Sequence, residues 1–412
     1  MKIFDLRSEN VGDSVKLLAT VDCEIIGKKD VWFSIPKEYS SYLCTTSMDS
    51  FLVGLLYPAM QYGVNIEVNG IVSKKLLFNI NNYVIPLLMS YSDSAKKITV
   101  TALKTTSKKI TCNGIGTGFS GGVDSFSTIY DRYEKEKDKE FKINSFLFLN
   151  VGSHGSDLVK SQKKFQTRYE HLKPFPKEIG VEFIPLDSNL HQFYPWGHQE
   201  TYSLTGVSGV LALQNHFSKY YFASAGIDYN SMIKNSYLYK GIDIGIFCEP
   251  VLLPLLSTET TEMILDGIQN TRVDKILNIA SYEPTFRFLN VCIRGDDTHE
   301  NCSTCSKCLR TLTALDFSGN LHNYSGVFNI NKYMTLKPNY MRQLVATRNK
   351  NSFSKDNIDL ANKHKIKLPN HLTSDCSYIL RHKLKATIKK TKRTIKRKIK
   401  NIILNLTGKQ KR

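Results

Sequence analysis

The sequence predicts an α/β protein: a doubly wound parallel sheet, preceded by a small N-terminal mixed α+β domain and followed by a basic C-terminal helix. Three observations carry this. Between about residues 110 and 320, short runs rich in β-branched and aromatic residues alternate with helix-length polar segments, the pattern of βαβ units. One of these runs, "INSFLFLNVG", is apolar throughout, as a strand buried on both faces requires. A glycine- and serine-rich stretch, "GFSGGVDSFS" from Gly118 to Ser127, sits where a first strand passes into a helix.

Taken in order, residues 1–109 read as the mixed module. "SVKLLATVDCEII" and "KDVWFSI" are strands by composition, and "MDSFLVGLLYPAMQYG" is a helix with Asp49 as its cap and Gly63 as its stop. "VNIEVNG" and "KKITVTALK" follow as strands around the apolar helical segment "KKLLFNINNYVIPLLMSY". In the 110–320 domain, "DSFSTIYDRYEKEKDKE" is a polar helix, "SDLVKSQKKFQTRYEHLKPF" a second helix and "VEFIPLD" a strand. "SLTGVSGVLALQNHF" is then a helix, "KYYFASAG" a strand and "TTEMILDGIQ" a further helix. Residues 321–378 are a helical extension, with "NKYMTLKPNYMRQLVATRNK" its clearest helix, and 379–412 form a basic amphipathic tail.

The net charge of +19 is unevenly placed. Fourteen of the 56 basic residues and no acidic one fall between Arg381 and Arg412, so the preceding body is close to balanced and its charge says little about its ligand. "MKIFDLRSEN" lacks the apolar core of a secretory signal, and no apolar run is long enough to span a bilayer. A cytoplasmic location is expected. Of nine cysteines, four cluster between 292 and 308 and five (Cys23, Cys44, Cys112, Cys248, Cys376) are scattered, which favours metal or thiol chemistry over a disulfide framework.

Three glycine motifs compete for the loop at 118–127. The phosphate loop G-x-x-x-x-G-K-[ST] fails because no lysine lies between Ile110 and Tyr130. The G-x-G-x-x-G fingerprint is met by Gly116, Gly118 and Gly121, but the acidic residue it needs after the next strand is replaced by Asn150 and Ser153. The third reading is Ser120-Gly121-Gly122-Val123-Asp124-Ser125, an S-G-G-x-D-S loop whose bare amides, two hydroxyls and helix N-terminus suit a pyrophosphate. Asp124 would hold magnesium or cap the helix.

This stretch resembles the pyrophosphate loop (PP-loop) of the adenine-nucleotide α-hydrolase-like superfamily, with Ser120, Gly121, Gly122, Asp124 and Ser125 matching its motif. The resemblance covers about 110–320. It implies a Rossmann-like sheet of PP-loop type, ATP across the strand ends, cleavage between the α and β phosphates, and adenosine near Asn150 to His154. It also implies catalytic roles for Ser120, Asp124 and Ser125, and an ATP site formed by the loop with Asn150.

Cys292, Cys302, Cys305 and Cys308 follow the spacing C-x9-C-x2-C-x2-C, in which each C-x2-C turn brings two sulfurs to one side. A closed set of four thiolates suits zinc better than an iron–sulfur cluster, with His299 available to substitute or orient. The pyrophosphate loop followed by this set, with Arg310 just after, is similar to the 7-cyano-7-deazaguanine synthase family. That family adenylates a carboxylate, passes it to ammonia and binds zinc through such cysteines. The first 110 residues and the basic tail lie outside the resemblance.

"LHQFYPWGHQETYS" offers His191, Trp196, His198 and Glu200 at the expected site edge, either as an acceptor wall or as a packed loop. Asp228 and Lys234 follow another strand. Lys234 or Arg272 is available either to neutralise departing pyrophosphate or as an ordinary surface charge, whereas Glu259 and Glu262 read as helix-start charges. In the tail, Leu384, Ile388, Ile395, Ile399, Ile402 and Leu406 make one helical stripe among lysines, which suits the anionic inner membrane face more than RNA.

The expectation is therefore an ATP-dependent, carbon–nitrogen bond-forming ligase with ATP, magnesium and zinc, its acceptor a small molecule or a glycan or membrane-associated precursor. Sulfur transfer through the same adenylate is the alternative, and a zinc-stabilised nucleotide- or RNA-binding module is the non-enzymatic one.

Overall fold

The computed structural model describes residues 1–155, 157–194, 198–225, 228–235, 244–292, 300–349 and 351–369. Trp196, His299 and the tail at 379–412 lie outside the described residues, as does the side chain of Lys234. The chain divides into two compact units, Met1–Ile330 and Asn331–Arg412.

The first unit begins with an antiparallel meander of β1 (Lys2–Val11), β2 (Ser14–Cys23) and β3 (Gly27–Pro36). β1 escapes a reading from composition because its charged residues alternate on the exposed side, where Arg7 bridges Asp5, Glu9 and Asp30. Helix α1 (Asp49–Tyr62) is buried over most of its length and stops at Gly63, whose φ of 75° only glycine adopts freely. Asp49 is not its cap: Met48 takes that position without a side-chain bond, while the Asp49 carboxylate accepts the Ser73 N–H at 2.8 Å and Gln214 Nε2 at 3.1 Å. Burial raises its pKa, and donors from two other elements oppose that rise.

β4 (Ile66–Ser73) lies parallel to β1. The apolar segment after it folds as α2 (Lys74–Asn79), a π-helical turn at Ile80–Val84 and α3 (Ile85–Tyr91), and β5 (Val100–Thr106) then pairs with β4.

The alternating region follows: β6 (Gly114–Gly118), α4 (Val123–Ile129) closing in a π-helical turn at Tyr130–Lys135, and β7 (Ser145–Asn150). Next come α5 (Leu158–Leu172), α6 (Pro174–Glu178), β8 (Glu182–Ser188), α7 (His198–Ala212) and β9 (Phe217–Ala223). The unit ends with α8 (Tyr229–Asn235), α9 (Ile244–Leu255), β10 (Glu262–Asp266), α10 (Arg272–Asn278), α11 (Pro284–Phe288) and α12 (Ser306–Phe317). The second unit contains α13 (Ile330–Thr347) and α14 (Ser352–Lys363), which share a Thr347–Ser354 hydroxyl contact of 2.8 Å.

All ten strands form one mostly parallel sheet in the order β10-β9-β6-β7-β8-β3-β2-β1-β4-β5. The five strands from β10 to β8 are parallel to their neighbours, and β8 joins β3 antiparallel through Phe33 opposite Ser188 and Ser34 opposite Asp187. The position near 109 thus separates two stretches of one sheet that share a core.

β7 shows why an unbroken apolar run is needed. Phe146 and Phe148 meet Phe119 and the α5 residue Phe165 on one face, while Leu149 meets α7 at Gly209 on the other. Helices therefore cover both faces. β6 is built largely of glycine because its neighbour sits so close: a Cβ on Gly116 would fall 2.3 Å from the Phe217 ring.

"TTEMILDGIQ" is not a helix. Its core is β10, which pairs in parallel with β9 from Glu262 opposite Lys219 to Asp266 opposite Ala223. A run this short carries no period that separates strand from helix, and the open edge of β9 satisfies its backbone as a strand. No helix among the described residues is long and apolar enough to cross a membrane.

Candidate functional site

The chain leaves β6 through α4 toward β7, yet its other neighbour, β9, is reached only after β8 and α7. Connections from the carboxyl ends of β6 and β9 therefore diverge and open a crevice between them. A cleft of about 310 Å³ occupies this position, bordered by the loop at Ser120, Asp124 and Ser125.

The loop's conformation depends on Gly121, whose φ is +73°. Its carbonyl accepts the Asn290 N–H at 2.7 Å, and a Cβ there would lie 2.9 Å from Leu172 Cδ2 and 3.1 Å from the Phe288 carbonyl. Gly122 is the N-cap of α4 and makes no side-chain bond, so the first amides of the helix have no side-chain acceptor of their own. Val123 is buried and anchors the turn. Ser125 Oγ donates to the Gly122 carbonyl at 3.0 Å and lies 3.4 Å from Ser120 Oγ, which places both hydroxyls at the mouth of the turn.

Asp124 is held in a basic environment. Arg272 Nη2 lies 2.7 Å from one carboxylate oxygen and Lys275 Nζ 3.5 Å from the other. Burial alone would raise the Asp124 pKa, but the charges of Arg272, Lys275 and Arg310 outweigh it and hold the carboxyl below its ordinary value. Lys275 is 1% exposed and also donates to the Ser224 carbonyl and hydroxyl, each at 2.6 Å, while burial lowers its pKa. Lys307 joins the cluster, its pKa lowered by burial and then by Arg310 and Arg272. Two cations thus contact the Asp124 carboxylate and two more act on it through their charge, and Arg272 Nε is buried without a hydrogen-bond partner. The excess positive charge suits a polyanion.

The carboxyl end of β7 carries a second polar group. Asn150 is fully buried and does not border the cleft; its amide donates to Asp187 at 2.7 Å, and its carbonyl oxygen faces Ser161 Oγ at 2.8 Å and His154 Nδ1 at 3.2 Å. His154 and His198 border the cleft with Tyr202. Burial pushes the two histidines down to about 3 and about 4 respectively, so both are neutral at neutral pH. Arg168, on α5, also borders the cleft and is in no hydrogen bond or ion pair among the described residues.

Several expected residues fall elsewhere. His191 is buried and does not border the cleft, and Glu200 is exposed. Asp228 accepts the Ser231 N–H at 3.1 Å at the start of α8. Glu259 accepts from Ser73 Oγ at 2.5 Å and the Lys75 N–H at 2.9 Å, so it serves the start of α2, while Glu262 opens β10 beside Lys219 at 3.8 Å.

Sequence reasoning missed Arg168, Lys275, Lys307, Tyr202 and the buried Glu249. Lys275 had a signal: Thr271 and Asp274 form a capping box, which places Arg272 and Lys275 on one face of a short helix at spacing i, i+3.

Cys292, Cys302, Cys305 and Cys308 converge, with all four sulfurs within 4.8 Å of one another. Cys305 and Cys308 Sγ are 3.4 Å apart, and Cys302 and Cys308 Sγ 3.9 Å. A zinc–sulfur distance of about 2.3 Å in a tetrahedron gives sulfur separations of about 3.8 Å, so the set could hold a metal ion such as zinc. Burial opposes ionisation of Cys302, but Thr304 Oγ1 and the Thr304 and Cys305 N–H groups stabilise its thiolate and bring it to about 6. Cys305 is also the N-cap of α12, the helix that carries Lys307 and Arg310. Comparison of the chain with protein-family models, with curated proteins and with solved structures finds no match.

Proposed function

We propose that the chain is an ATP-dependent ligase of the PP-loop type that adenylates a carboxylate or carbonyl oxygen and transfers it to a nitrogen nucleophile. The observation that carries this reading is the Ser120–Ser125 loop, set at the crevice between β6 and β9, with Arg272 and Lys275 on its aspartate and the charges of Arg310 and Lys307 acting on it. In the first step the acceptor oxygen attacks the α-phosphorus, the bond to the β-phosphate oxygen breaks, and pyrophosphate leaves. Ammonia or an amine then attacks the activated carbon and loses a proton as AMP departs.

The chain's part is binding and charge stabilisation. The free amides of α4 and the Ser120 and Ser125 hydroxyls grip the β and γ phosphates. Arg272, Lys275, Lys307 and Arg310 stabilise the charge that develops on pyrophosphate, where one such donor is worth about 10²–10³ in rate. Asp124 orients Arg272 and Lys275 toward the phosphates. Because both its oxygens already face cations, magnesium fits better as a counter-ion carried on the phosphates than as an Asp124-bound ion. The four cysteines fit zinc in a closed, structural role.

The test is product analysis with magnesium-ATP, ammonium and a panel of carboxylates. AMP and pyrophosphate, formed only with an acceptor, support the reading. ADP and phosphate, or ATP bound and never cleaved with any acceptor, refute it.

A further inference from the structure

The hydrogen-bond chain behind the cleft determines which ring nitrogen of His154 carries the proton. Asp187 accepts from Asn150 Nδ2, the Ser188 N–H and Gln162 Nε2, and as an acceptor it orients the Asn150 amide with its nitrogen toward Asp187. Asn150 Oδ1 is then an acceptor, and it takes Ser161 Oγ–H at 2.8 Å. His154 Nδ1 lies 3.2 Å from that same oxygen, so a bare lone pair there would face another; Nδ1 must carry the hydrogen and donate it. Ser153 Oγ, 3.0 Å from Nδ1, can send its own hydrogen to the Leu149 carbonyl at 3.4 Å, which is consistent with this tautomer. The remaining nitrogen, Nε2, is left as an acceptor on a side chain only 9% exposed, and it has no partner.

A buried acceptor without a donor is costly, and this one sits on a residue bordering the cleft beyond the end of β7. We propose, building on the nucleotide reading above, that His154 Nε2 accepts a hydrogen bond from the nucleoside half of the bound nucleotide and so sets base or sugar selectivity. The donor is an N–H or O–H, supplied either by a 6-amino group or by a ribose hydroxyl. Hypoxanthine, which presents a 6-oxo acceptor in place of the amine, would oppose Nε2 instead of pairing with it.

Two measurements test this. In histidine-labelled protein, the ¹⁵N spectrum of the His154 ring, assigned by its loss in His154→Gln, should show Nδ1 protonated and Nε2 bare; the opposite tautomer overturns the proposal. Calorimetric titration with ATP, ITP, 2′-deoxy-ATP and 3′-deoxy-ATP should show one analogue binding about 10-fold or more weakly than ATP, the effect of one lost bond to a buried acceptor. ITP as the weak ligand identifies the amine, and a deoxy analogue identifies the hydroxyl. His154→Phe should abolish the discrimination and His154→Gln, whose carbonyl can accept, should keep part of it. Equal binding of all four to the wild-type protein overturns the role of His154 and leaves the nucleotide reading standing, whereas binding of none overturns the nucleotide reading itself.

Discussion

Replacing Asp124 by asparagine tests the electrostatics of the loop. The substitution keeps the shape and one acceptor oxygen but removes the charge that balances Lys275, which is 1% exposed, and Arg272, whose Nε has no partner. Removing one member of a buried pair typically costs about 3–5 kcal/mol, and the retained oxygen places this change at the lower end, about 3 kcal/mol. With a urea dependence of about 3 kcal/mol/M, the unfolding midpoint followed by circular dichroism should fall by about 1 M. The pH dependence has a definite sign. The folded-state pKa of Lys275 lies below its ordinary value of 10.5, so between the two the unfolded chain binds more protons, and stability rises with pH across that alkaline window. Without Asp124 the Lys275 value drops further, and Asp124→Asn should recover stability over a wider range than the wild-type protein. Adding Lys275→Met removes the stranded ammonium, so the double variant should be more stable than Asp124→Asn alone. A double variant less stable than the single one, or a midpoint unchanged by Asp124→Asn, would refute the reasoning.

Cys305→Ser should bring bound zinc, measured by elemental analysis of the native protein, from about one equivalent to well below it; full retention would remove Cys305 from the ligand set. Gly121→Ala combines a left-handed backbone, worth about 1–2 kcal/mol, with a Cβ 2.9 Å from Leu172, and should lower thermal stability and ATP affinity together. Burial raises Glu249, which is 2% exposed and accepts from Ser203 Oγ at 2.9 Å, to about 7 from an ordinary 4.5. The folded state binds the extra proton between those values, so stability should fall by about 3 kcal/mol as pH rises through them, and Glu249→Gln should flatten that slope in thermal melts.

The alternation of strand-like and helix-length runs, with one run apolar throughout, made the parallel centre of the fold legible. The unbroken run at Ser145–Asn150 needs two covered faces, and the structure supplies aromatic residues from one side and α7 from the other. β10 was illegible for the opposite reason: the three apolar residues of Glu262–Asp266 fit either element, and only the open edge of β9 decides. β1 was hidden by charges that are harmless on an exposed strand face. At the site, the loop and the cysteines were readable because their spacing is local. Arg168, Lys275 and Lys307 were not, since each is an ordinary basic residue on a helix until the fold brings it to the cleft or to Asp124.

That distance dependence also explains why the two local motifs belong together. Cys305 begins α12, Lys307 and Arg310 follow within its first two turns, and α12 packs on α10, which packs on α4 beside the loop. Whatever holds the four sulfurs therefore determines where two of the four cations stand. Burial lowers the Lys307 pKa first, and repulsion from Arg310 and Arg272 lowers it further. A tetrahedral set of four thiolates around a divalent ion carries a net charge of about −2, so a metal bound here would both tie down the helix and offset the repulsion at its start. Loss of the ion should consequently weaken pyrophosphate binding at a loop to which no cysteine contributes a side chain. Chelated protein that binds pyrophosphate as tightly as the untreated protein, with its helical content unchanged, would break this link between the two motifs.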